Sequence, residues 1–464
     1  MKFTYKYILP AVFFSFSASL MAQNLNSGYF TEGLNSRHGL NPAFGSDENY
    51  VAMPGLGNIN INMMGNFGLQ DVLFDNPTES GNNKSKTSFM NPYINASDAL
   101  SGFKNNNKLD GEFRIGIMSA GFKGLGGYNT IELNLRAGFN ANLPYELFEF
   151  AKNTGNKSYD IGDINAEFQS YAELAFGHSR QINDKLRLGA KVKLLFGIAH
   201  GSFEFNDMKA NLTGDEWTIS GDAQTNISLK GATYKMESKD YKSKTGSYQH
   251  VTGLDTNGGG LNGFGLGLDL GAEYKINKDF TVSAALLDLG FITWNNNILA
   301  TNSNKSFMFS GFHDVAIKSS EGSTLENQSD SYSDQIADFA NLQDKGDQGS
   351  KTTELAATMN FGCQYVLPCY RQLKFGLLSS TKIYGKYSWT EGRLNANVAP
   401  LKWVDGGVNF GVNTYRTSFG WIVNFHPKAV NFFVGMDHTL GKCSKEMIPL
   451  SSNASVSMGL SFAW

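Results

Sequence analysis

Histidine, cysteine and glycine residues are the first places to look for chemistry in this chain of 464 residues. The seven histidines are scattered, and none has a cysteine, aspartate or glutamate at the spacing of a metal site. The glycines of Gly263-Phe-Gly265-Leu-Gly267 resemble a dinucleotide-binding loop, but the pattern continues as a strand without a following helix. There is no Gly-x-Ser-x-Gly nucleophile elbow. We therefore expect neither an enzyme nor a cofactor or metal site.

Charged side chains recur on one face of a few segments in which polar and apolar residues alternate. Eight residues share this placement: Glu167, Glu173, Arg187, Lys191, Lys193, Asp269, Glu273 and Asp288. Opposite charges on paired strands stabilise the pairing by about 0.2–1 kcal/mol each. Charges that line a pore also filter solutes. These eight residues are therefore predicted lumenal charges, which either brace a barrel wall or form a constriction.

The alternating segments that position these charges have the period of a β-strand. In Gly263–Ile276, every second residue is apolar and the residues between are glycine or charged. A strand points successive side chains to opposite faces, so this segment has one apolar and one polar face. Phe280–Trp294 changes phase near Leu287, which predicts a β-bulge that turns Asp288 inward.

Fourteen segments show such a pattern. They are Leu56–Gly68, Glu112–Lys123, Asn129–Asn142, Ile164–Arg180, Leu186–His200, Gly263–Ile276, Phe280–Trp294, Thr353–Val366, Leu373–Ile383, Tyr387–Val398, Val404–Tyr415, Thr417–Phe425, Ala429–Leu440 and Ala454–Trp464. If the last strand ends at the periplasm, all long connections lie outside, as in outer-membrane barrels. Short helices are expected within these connections at Pro144–Asn153 and Asp334–Lys345.

The predicted fold is an all-β, closed antiparallel transmembrane barrel of about 14 strands with long extracellular loops. Closure follows from the bilayer, where every backbone polar group needs a partner and an open sheet edge has none. Phe462 and Trp464 at the end of the last strand resemble the aromatic signal that the barrel-assembly machinery recognises. Trp294, Trp389, Trp403 and Trp464 fall near strand ends, which predicts aromatic girdles facing lipid.

The N-terminus, Met1–Ala22, has the pattern of a secretory signal peptide. Two lysines precede a short apolar run, and Leu20-Met21-Ala22 fits a cleavage site. The alternative is a membrane-anchoring helix, which requires about 20 apolar residues, more than this run offers. The expected organisation is a signal peptide at 1–22, an N-terminal plug segment at 23–53 and a barrel at 54–464.

The segment after the signal peptide contains Asn41-Pro42-Ala43 and more aromatic residues than a solvated linker needs. This motif, together with the signal peptide and the strands, resembles FadL-like barrels, which transport hydrophobic compounds, and the PorV-like barrels of type IX secretion. The whole chain also resembles Bacteroidota outer-membrane barrels of unknown function. The resemblance implies that Asn41, Pro42 and Ala43 belong to a plug inside the barrel. A loose periplasmic tail is the alternative.

Composition limits the partners of the protein. A net charge of −3 favours neither nucleic-acid binding nor a polybasic membrane patch. The three cysteines leave at least one thiol free, and a bridge between Cys363 and Cys369 stays open as an alternative to free thiols. The expected partners are outer-membrane lipid of a Gram-negative bacterium, the barrel-assembly machinery and, for a transporter, a small hydrophobic ligand.

Two functions follow from these expectations. The resemblance to FadL-like barrels implies passive uptake of small hydrophobic compounds. The alternative is a non-transport accessory of surface assembly or secretion, with the long loops as binding surfaces. An apolar pocket between plug and wall favours uptake, whereas a lumen filled by polar side chains favours the accessory.

Overall fold

The structure is a computed structural model of the chain. It describes residues 25–46, 48–81, 84–153, 155, 157–214, 216–315, 323–439 and 451–464. The expected signal peptide Met1–Ala22 and Cys443 lie outside the described residues.

Fourteen antiparallel strands close into a barrel, as the sequence predicts. They are β1 (Tyr50–Ala52 and Ile59–Gly65), β2 (Asn106–Gly124), β3 (Gly127–Pro144), β4 (Ser158–Gln181), β5 (Leu186–Asn211), β6 (Gly263–Lys275), β7 (Phe280–Trp294), β8 (Ala357–Val366), β9 (Leu373–Ile383), β10 (Trp389–Leu401), β11 (Val404–Asn413), β12 (Thr417–Phe425), β13 (Val430–Met436) and β14 (Ala454–Ala463). Each strand pairs with its neighbours in the chain, and β14 returns to pair with β1.

Strand β14 closes the barrel by pairing with both parts of β1. Ile59 lies opposite Met458, and Tyr50 lies opposite Ala463. The first strand therefore begins at Tyr50, so the barrel includes residues 50–53, which the sequence boundary assigned to the N-terminal segment. Among the described residues, no barrel strand has an open edge, which satisfies the backbone hydrogen-bonding groups in a bilayer.

The long connections all leave one end of the barrel, which we call the outer end. β4 and β5 contain 24 and 26 residues, whereas β13 contains seven. Because about 9–11 tilted residues cross a bilayer, β4 and β5 continue far beyond it. Above the bilayer they join an outer sheet and its hairpins, whose strands are Trp217–Leu229, Ala232–Asp240, Ser247–Thr256, Asn297–Asn302, Ser306–Phe309, Leu342–Asp347 and Lys351–Glu354.

The described residues contain four α-helices, all in the outer connections: α1 (Leu69–Val72), α2 (Ala96–Leu100), α3 (Tyr145–Lys152) and α4 (Leu325–Ala340). α3 falls inside the predicted Pro144–Asn153, with Pro144 as its N-cap. The predicted bounds of α4, Asp334–Lys345, are wrong. It begins nine residues earlier because Thr324 caps it, with Thr324 Oγ1 accepting from the backbone N–H of Asn327. Among the described residues, no helix is long and apolar enough to cross a membrane.

The predicted β-bulge in β7 is present. The register with β6 shifts between Leu268 and Leu270, and Asp288 has a φ of +58°. The extra residue reverses the faces of β7 beyond this point, so that Asp288 points inward and Leu289 outward. Cys363 and Cys369 are both free, so the bridge between them does not form.

The placement of two tryptophans in a lipid-facing girdle is wrong. Trp294 and Trp389 are 0% and 2% exposed and point into the barrel. Trp294 follows the bulge, which moves it to the inner face, and its Nε1–H donates to Thr353 Oγ1 over 2.8 Å. Trp403 and Trp464 are exposed on the outer surface, as a girdle requires.

Candidate functional site in the barrel lumen

Residues 25–46, which we call the N-terminal segment, run through the barrel interior. Near the outer end of β13, the backbone N–H groups of Asn26 and Ser27 donate to the Asp437 carboxylate over 2.8 and 2.6 Å. Eighteen residues after Ser27, Gly45 lies against Arg187 near the inner end of β5. The segment therefore spans much of the height of the lumen.

Apolar side chains of the N-terminal segment pack against apolar side chains of the wall. Tyr29, Phe30, Leu40 and Phe44 form one buried cluster with Leu378 of β9. A second buried cluster contains Leu25, Leu34, Ile422 and Phe433. Burial of this kind stabilises a fixed position, because each fully buried side chain contributes about 1.5–3 kcal/mol relative to exposure.

The three residues of the predicted plug motif fit against β5, β6 and β7. The Asn41 side-chain amide donates to the carbonyls of Ala272 and Ala284, each over 3.2 Å. Its Oδ1 accepts from the backbone N–H of Ala43 over 2.9 Å and fixes the turn at Pro42. Gly189 and Gly271 allow this approach, because a Cβ at either position would clash with the motif.

Other wall residues bind the backbone of the segment. Asp405 accepts from the N–H of Gly33 over 3.0 Å. Asn360 donates to the carbonyl of Leu40 over 3.1 Å. Backbone groups that have left water thus find partners on the wall, which is the condition for burying an irregular segment.

A buried ion network joins the segment to β2, β3 and β5. Glu132 is its centre: its carboxylate lies 2.8 Å from both Arg114 and Lys191, and 2.9 Å from His38 Nδ1. His38 belongs to the N-terminal segment, and its Nε2 lies 2.6 Å from the Tyr50 hydroxyl. The one histidine of the segment is therefore fixed on both ring nitrogens.

A second network adjoins the first across β3 to β7. Lys193 lies 2.6 Å from Asp269 and 2.5 Å from Asp288. Arg136 lies 2.7 Å from Asp288 and 3.0 Å from Glu173. The inward turn of Asp288 at the bulge makes these contacts possible. Because every one of these charges is paired and all but Arg136 are buried, the geometry supports bracing of the wall rather than an open charged constriction.

The remaining predicted charges stand apart from these networks. Glu167 pairs with His200 over 3.1 Å, on neighbouring strands. Arg187 lies beside Gly45, and Glu273 lies opposite Arg187 in the register of β6 and β5. The predicted eight thus divide into a linked group and a group of local contacts.

Sequence reasoning missed the centre of the first network. Glu132 and Arg136 occupy polar positions of the predicted strand Asn129–Asn142, and Arg114 does so in Glu112–Lys123. The alternation that singled out the charges of β4 and β5 therefore also marked these residues. Their pairing was invisible, since it depends on which strands are neighbours and on their register.

Five apolar residues line the inner wall on the outer side of the networks, and we call them the lumenal patch. They are Tyr171, Leu195, Ile292, Trp294 and Leu355, all buried against one another. The patch includes the tryptophan that the bulge in β7 turns inward. It is an apolar surface in a lumen whose other inward positions are largely polar.

Two small cavities lie between the segment and the wall. One lies among Asn26, Leu40, Glu112 and Arg136, and has a volume of ≈ 20 Å³. Another has the same volume and lies beside His38. Each has room for about one water molecule and none for an aromatic compound. In the described part of the chain, no three His, Cys, Asp or Glu side chains are grouped as metal ligands.

Comparison with protein families finds one model, a family of unknown function (DUF5723), which matches residues 42–437. The chain belongs to this family. The match includes Pro42 and Ala43 of the motif and ends at Asp437, so it covers most of the barrel. Comparison with curated proteins finds no match.

Solved structures with a similar arrangement include a transporter, a FadL homologue and a translocator domain. The toluene transporter TbuX of Ralstonia pickettii has 9% identity and a TM-score of 0.39, with 96% of this chain and 95% of that chain covered. A FadL homologue of Pseudomonas aeruginosa has 10% identity and a TM-score of 0.37, covering 96% and 98%. The translocator domain of the autotransporter NalP from Neisseria meningitidis has 9% identity and a TM-score of 0.32, with 97% of this chain and 100% of that chain covered. At these TM-scores, neither substrate nor mechanism carries over.

Proposed function

We propose that this protein is an outer-membrane barrel of a Gram-negative bacterium that takes up small hydrophobic compounds passively. The N-terminal segment, including Asn41, Pro42 and Ala43, acts as its plug. The observation that carries the proposal is the lumenal patch, because apolar side chains on an inner wall offer a surface to an apolar compound once their packing loosens. The water-sized cavities mean that passage requires a conformational change.

A second candidate is a non-transport accessory of surface assembly or secretion, as the resemblance to type IX barrels implies. Two observations favour it: the lumen is filled largely by paired polar side chains, and the outer sheet extends far beyond the bilayer. In this role the outer connections bind a partner and the barrel serves as an anchor.

A deletion strain distinguishes the two candidates. It is grown on a panel of small hydrophobic substrates and in bile-type detergents, and its surface proteome is compared with that of the parent. Slower growth on hydrophobic substrates with an unchanged surface proteome supports uptake. Normal growth with missing surface proteins contradicts uptake and supports the accessory role.

A pair of substitutions tests the lumenal patch directly. Ile292→Asn places an amide in the patch, and Ile161→Asn places one at an equally buried site outside the lumen. We expect the first variant to restore less growth on hydrophobic substrates than the second at equal amounts of folded barrel. Equal growth of the two variants would contradict a role of the patch in uptake.

A further inference from the structure

We propose that the lumen has a second closure, formed by contact between opposite walls at the outer end and independent of the N-terminal segment. It consists of Lys382 on β9, Lys386 in the turn after β9, and Lys108, Asp110 and Glu112 on β2. We call it the outer pinch. The proposal rests on the proposed function only in that it treats the barrel as a passage.

The first step is the position of the two strands. β2 and β9 are seven strands apart in both directions around the 14-stranded barrel, so they are diametrically opposite. A circular barrel of this size keeps opposite backbones roughly 25–30 Å apart, given strands about 4.8 Å apart and a tilt of about 40°. Direct contact between β2 and β9 therefore requires a flattened cross-section.

The second step is the contact itself. Lys382 Nζ lies 3.1 Å from Glu112 Oε1, pairs with Asp110, and lies 3.3 Å from Asn140 Oδ1. Lysine and glutamate side chains together reach about 11 Å, so the two backbones stand within roughly 14 Å. The side chains of Lys382 and Asp110 are 2% and 3% exposed. The walls thus meet and exclude water between them.

The third step is the turn above this contact. The short helical turn Gly385–Tyr387 follows β9, and Tyr387 is buried. Lys386 Nζ donates to Asn165 of β4, and Lys108 Nζ donates to the Lys386 carbonyl over 2.6 Å. The turn is therefore fastened to the opposite wall by a side chain and by its own backbone.

The fourth step is the relation to the N-terminal segment. None of the contacts just described involves residues 25–46. Glu112 also lines the water-sized cavity that lies beside Asn26 and Leu40 of the N-terminal segment. The segment and the outer pinch therefore border the same small cavity. Two closures in series follow, and removal of either leaves the other.

The test is ion conductance of the purified full-length barrel in planar bilayers in potassium chloride. The pinch variant is Lys382→Met with Asp110→Asn, which removes the buried ion pairs of Lys382 across the lumen. Its matched control is Lys193→Met with Asp269→Asn, which removes the buried ion pairs of Lys193 along one side of the wall. Each is made with and without deletion of residues 25–45, and a heat-modifiable gel band confirms folding.

We expect both the deletion and the pinch variant to stay nearly closed, because conduction through a series is limited by its narrowest part. The pinch variant combined with the deletion should raise conductance about tenfold or more. The control variant combined with the same deletion should not raise it. A deletion that conducts as well as the combination overturns the outer pinch, as does a folded combination that stays closed. If the pinch variant conducts without the deletion, the result supports the outer pinch as a closure and contradicts a blocking role of the N-terminal segment.

A reversible lock provides a second measurement. Asn165→Cys and Lys386→Cys are introduced into the combination, with Cys363, Cys369 and Cys443 replaced by serine. A short reducible bifunctional thiol reagent should lower the conductance, and a reductant should restore it. Unchanged conductance after confirmed cross-linking contradicts the inference. Because the readout is ion flow, a failure of hydrophobic uptake does not affect either measurement.

Discussion

At the scale of residues, single wall carboxylates hold irregular backbone inside the barrel. Asp437 accepts two backbone N–H groups and the Ser27 hydroxyl, all of them buried. Charge-assisted hydrogen bonds of this kind contribute about 1.5–3 kcal/mol each, more than neutral ones. A few acceptor groups therefore provide much of the binding of the N-terminal segment to the wall. Substitution of one of them should weaken this binding measurably.

Substitution Asp437→Asn should make the N-terminal segment accessible to protease. The amide keeps one acceptor oxygen and loses the charge, which costs about 1.5–3 kcal/mol. If cleavage follows the opened population, the segment is cut about 10- to 100-fold faster. Arg37 is the one trypsin site among residues 25–46, so the fragment ending there is followed by mass spectrometry.

The control for this substitution is Asp279→Asn, which removes a partly exposed ion pair with Arg371 at the inner end of the barrel. It should leave cleavage at Arg37 at the wild-type rate. Equal rates in all three proteins would show that Asp437 does not hold the segment.

At the scale of elements, helix α4 holds the outer hairpin Ala232–Asp240 and Ser247–Thr256 by two carboxylates. Asp338 accepts from the Tyr241 hydroxyl over 2.7 Å. Asp334 accepts from the backbone N–H groups of Lys242 and Ser243 over 3.0 and 2.8 Å, and from the Ser243 hydroxyl over 2.7 Å. Burial by itself raises the pKa of Asp334, but these hydrogen bonds outweigh it and hold the pKa below its usual value. The docking of the hairpin on α4 is thus linked to pH.

The sign of this linkage defines a prediction. A folded-state pKa below the unfolded value of about 3.9 stabilises the docked hairpin above that pH, and the stabilisation is lost as pH falls through the folded pKa. Amide hydrogen exchange of residues 241–246 in wild type and Asp334→Asn should differ at neutral pH, and the difference should shrink as pH falls below about 3.9 and Asp334 takes up a proton. Asp330→Asn on the same helix is the control and should behave as wild type. A difference between Asp334→Asn and wild type that persists in acid would refute the linkage.

At the scale of the whole molecule, the barrel has a tall side and a short side. β4 and β5 carry the outer sheet, whereas the strands from β11 to β13 contain ten residues or fewer. The short side is braced from within by the N-terminal segment, which bonds to Asp405, Asn431 and Asp437. The interior packing and the closed sheet together form one cooperative body.

Closure predicts a heat-modifiable mobility on gels. Samples kept unheated in detergent should migrate apart from boiled ones, because all 14 strands are paired on both sides and resist unfolding. Boiled and unheated bands at one position would argue against a closed barrel. The Ile161→Asn variant, altered only in the outer part, should still show the shift.

The C-terminal residue contributes in two separable ways. The backbone of Trp464 exchanges two hydrogen bonds with Asn49, of 3.0 and 3.1 Å, and its exposed ring follows Phe462 on the lipid face. Deletion of Trp464 removes both and should lower the folded fraction in the outer membrane. Trp464→Ser keeps the backbone pair and Trp464→Phe also keeps an aromatic ring. If the ring is the assembly signal, only the phenylalanine variant folds normally, and normal folding of the deletion would refute the signal.

The sequence alone determined the barrel, the number of its strands and the end that carries the long connections. Alternation with a period of two is a local property, and a bilayer permits only one arrangement of such strands, a closed one. Even the bulge at Asp288 was predictable, because one extra residue reverses the faces of a strand. Applied consistently, the same phase change would have placed Trp294 inside.

Only the tertiary structure decided how the lumen is filled. Glu132, His38 and Lys191 come from three distant parts of the chain, and their contact depends on register and on the path of the N-terminal segment. The pairing of Lys382 with Asp110 depends further on the flattening of the barrel, which no strand pattern encodes. A strand pattern fixes which face a residue occupies; which residues meet across a lumen is fixed by the shape of the closed sheet.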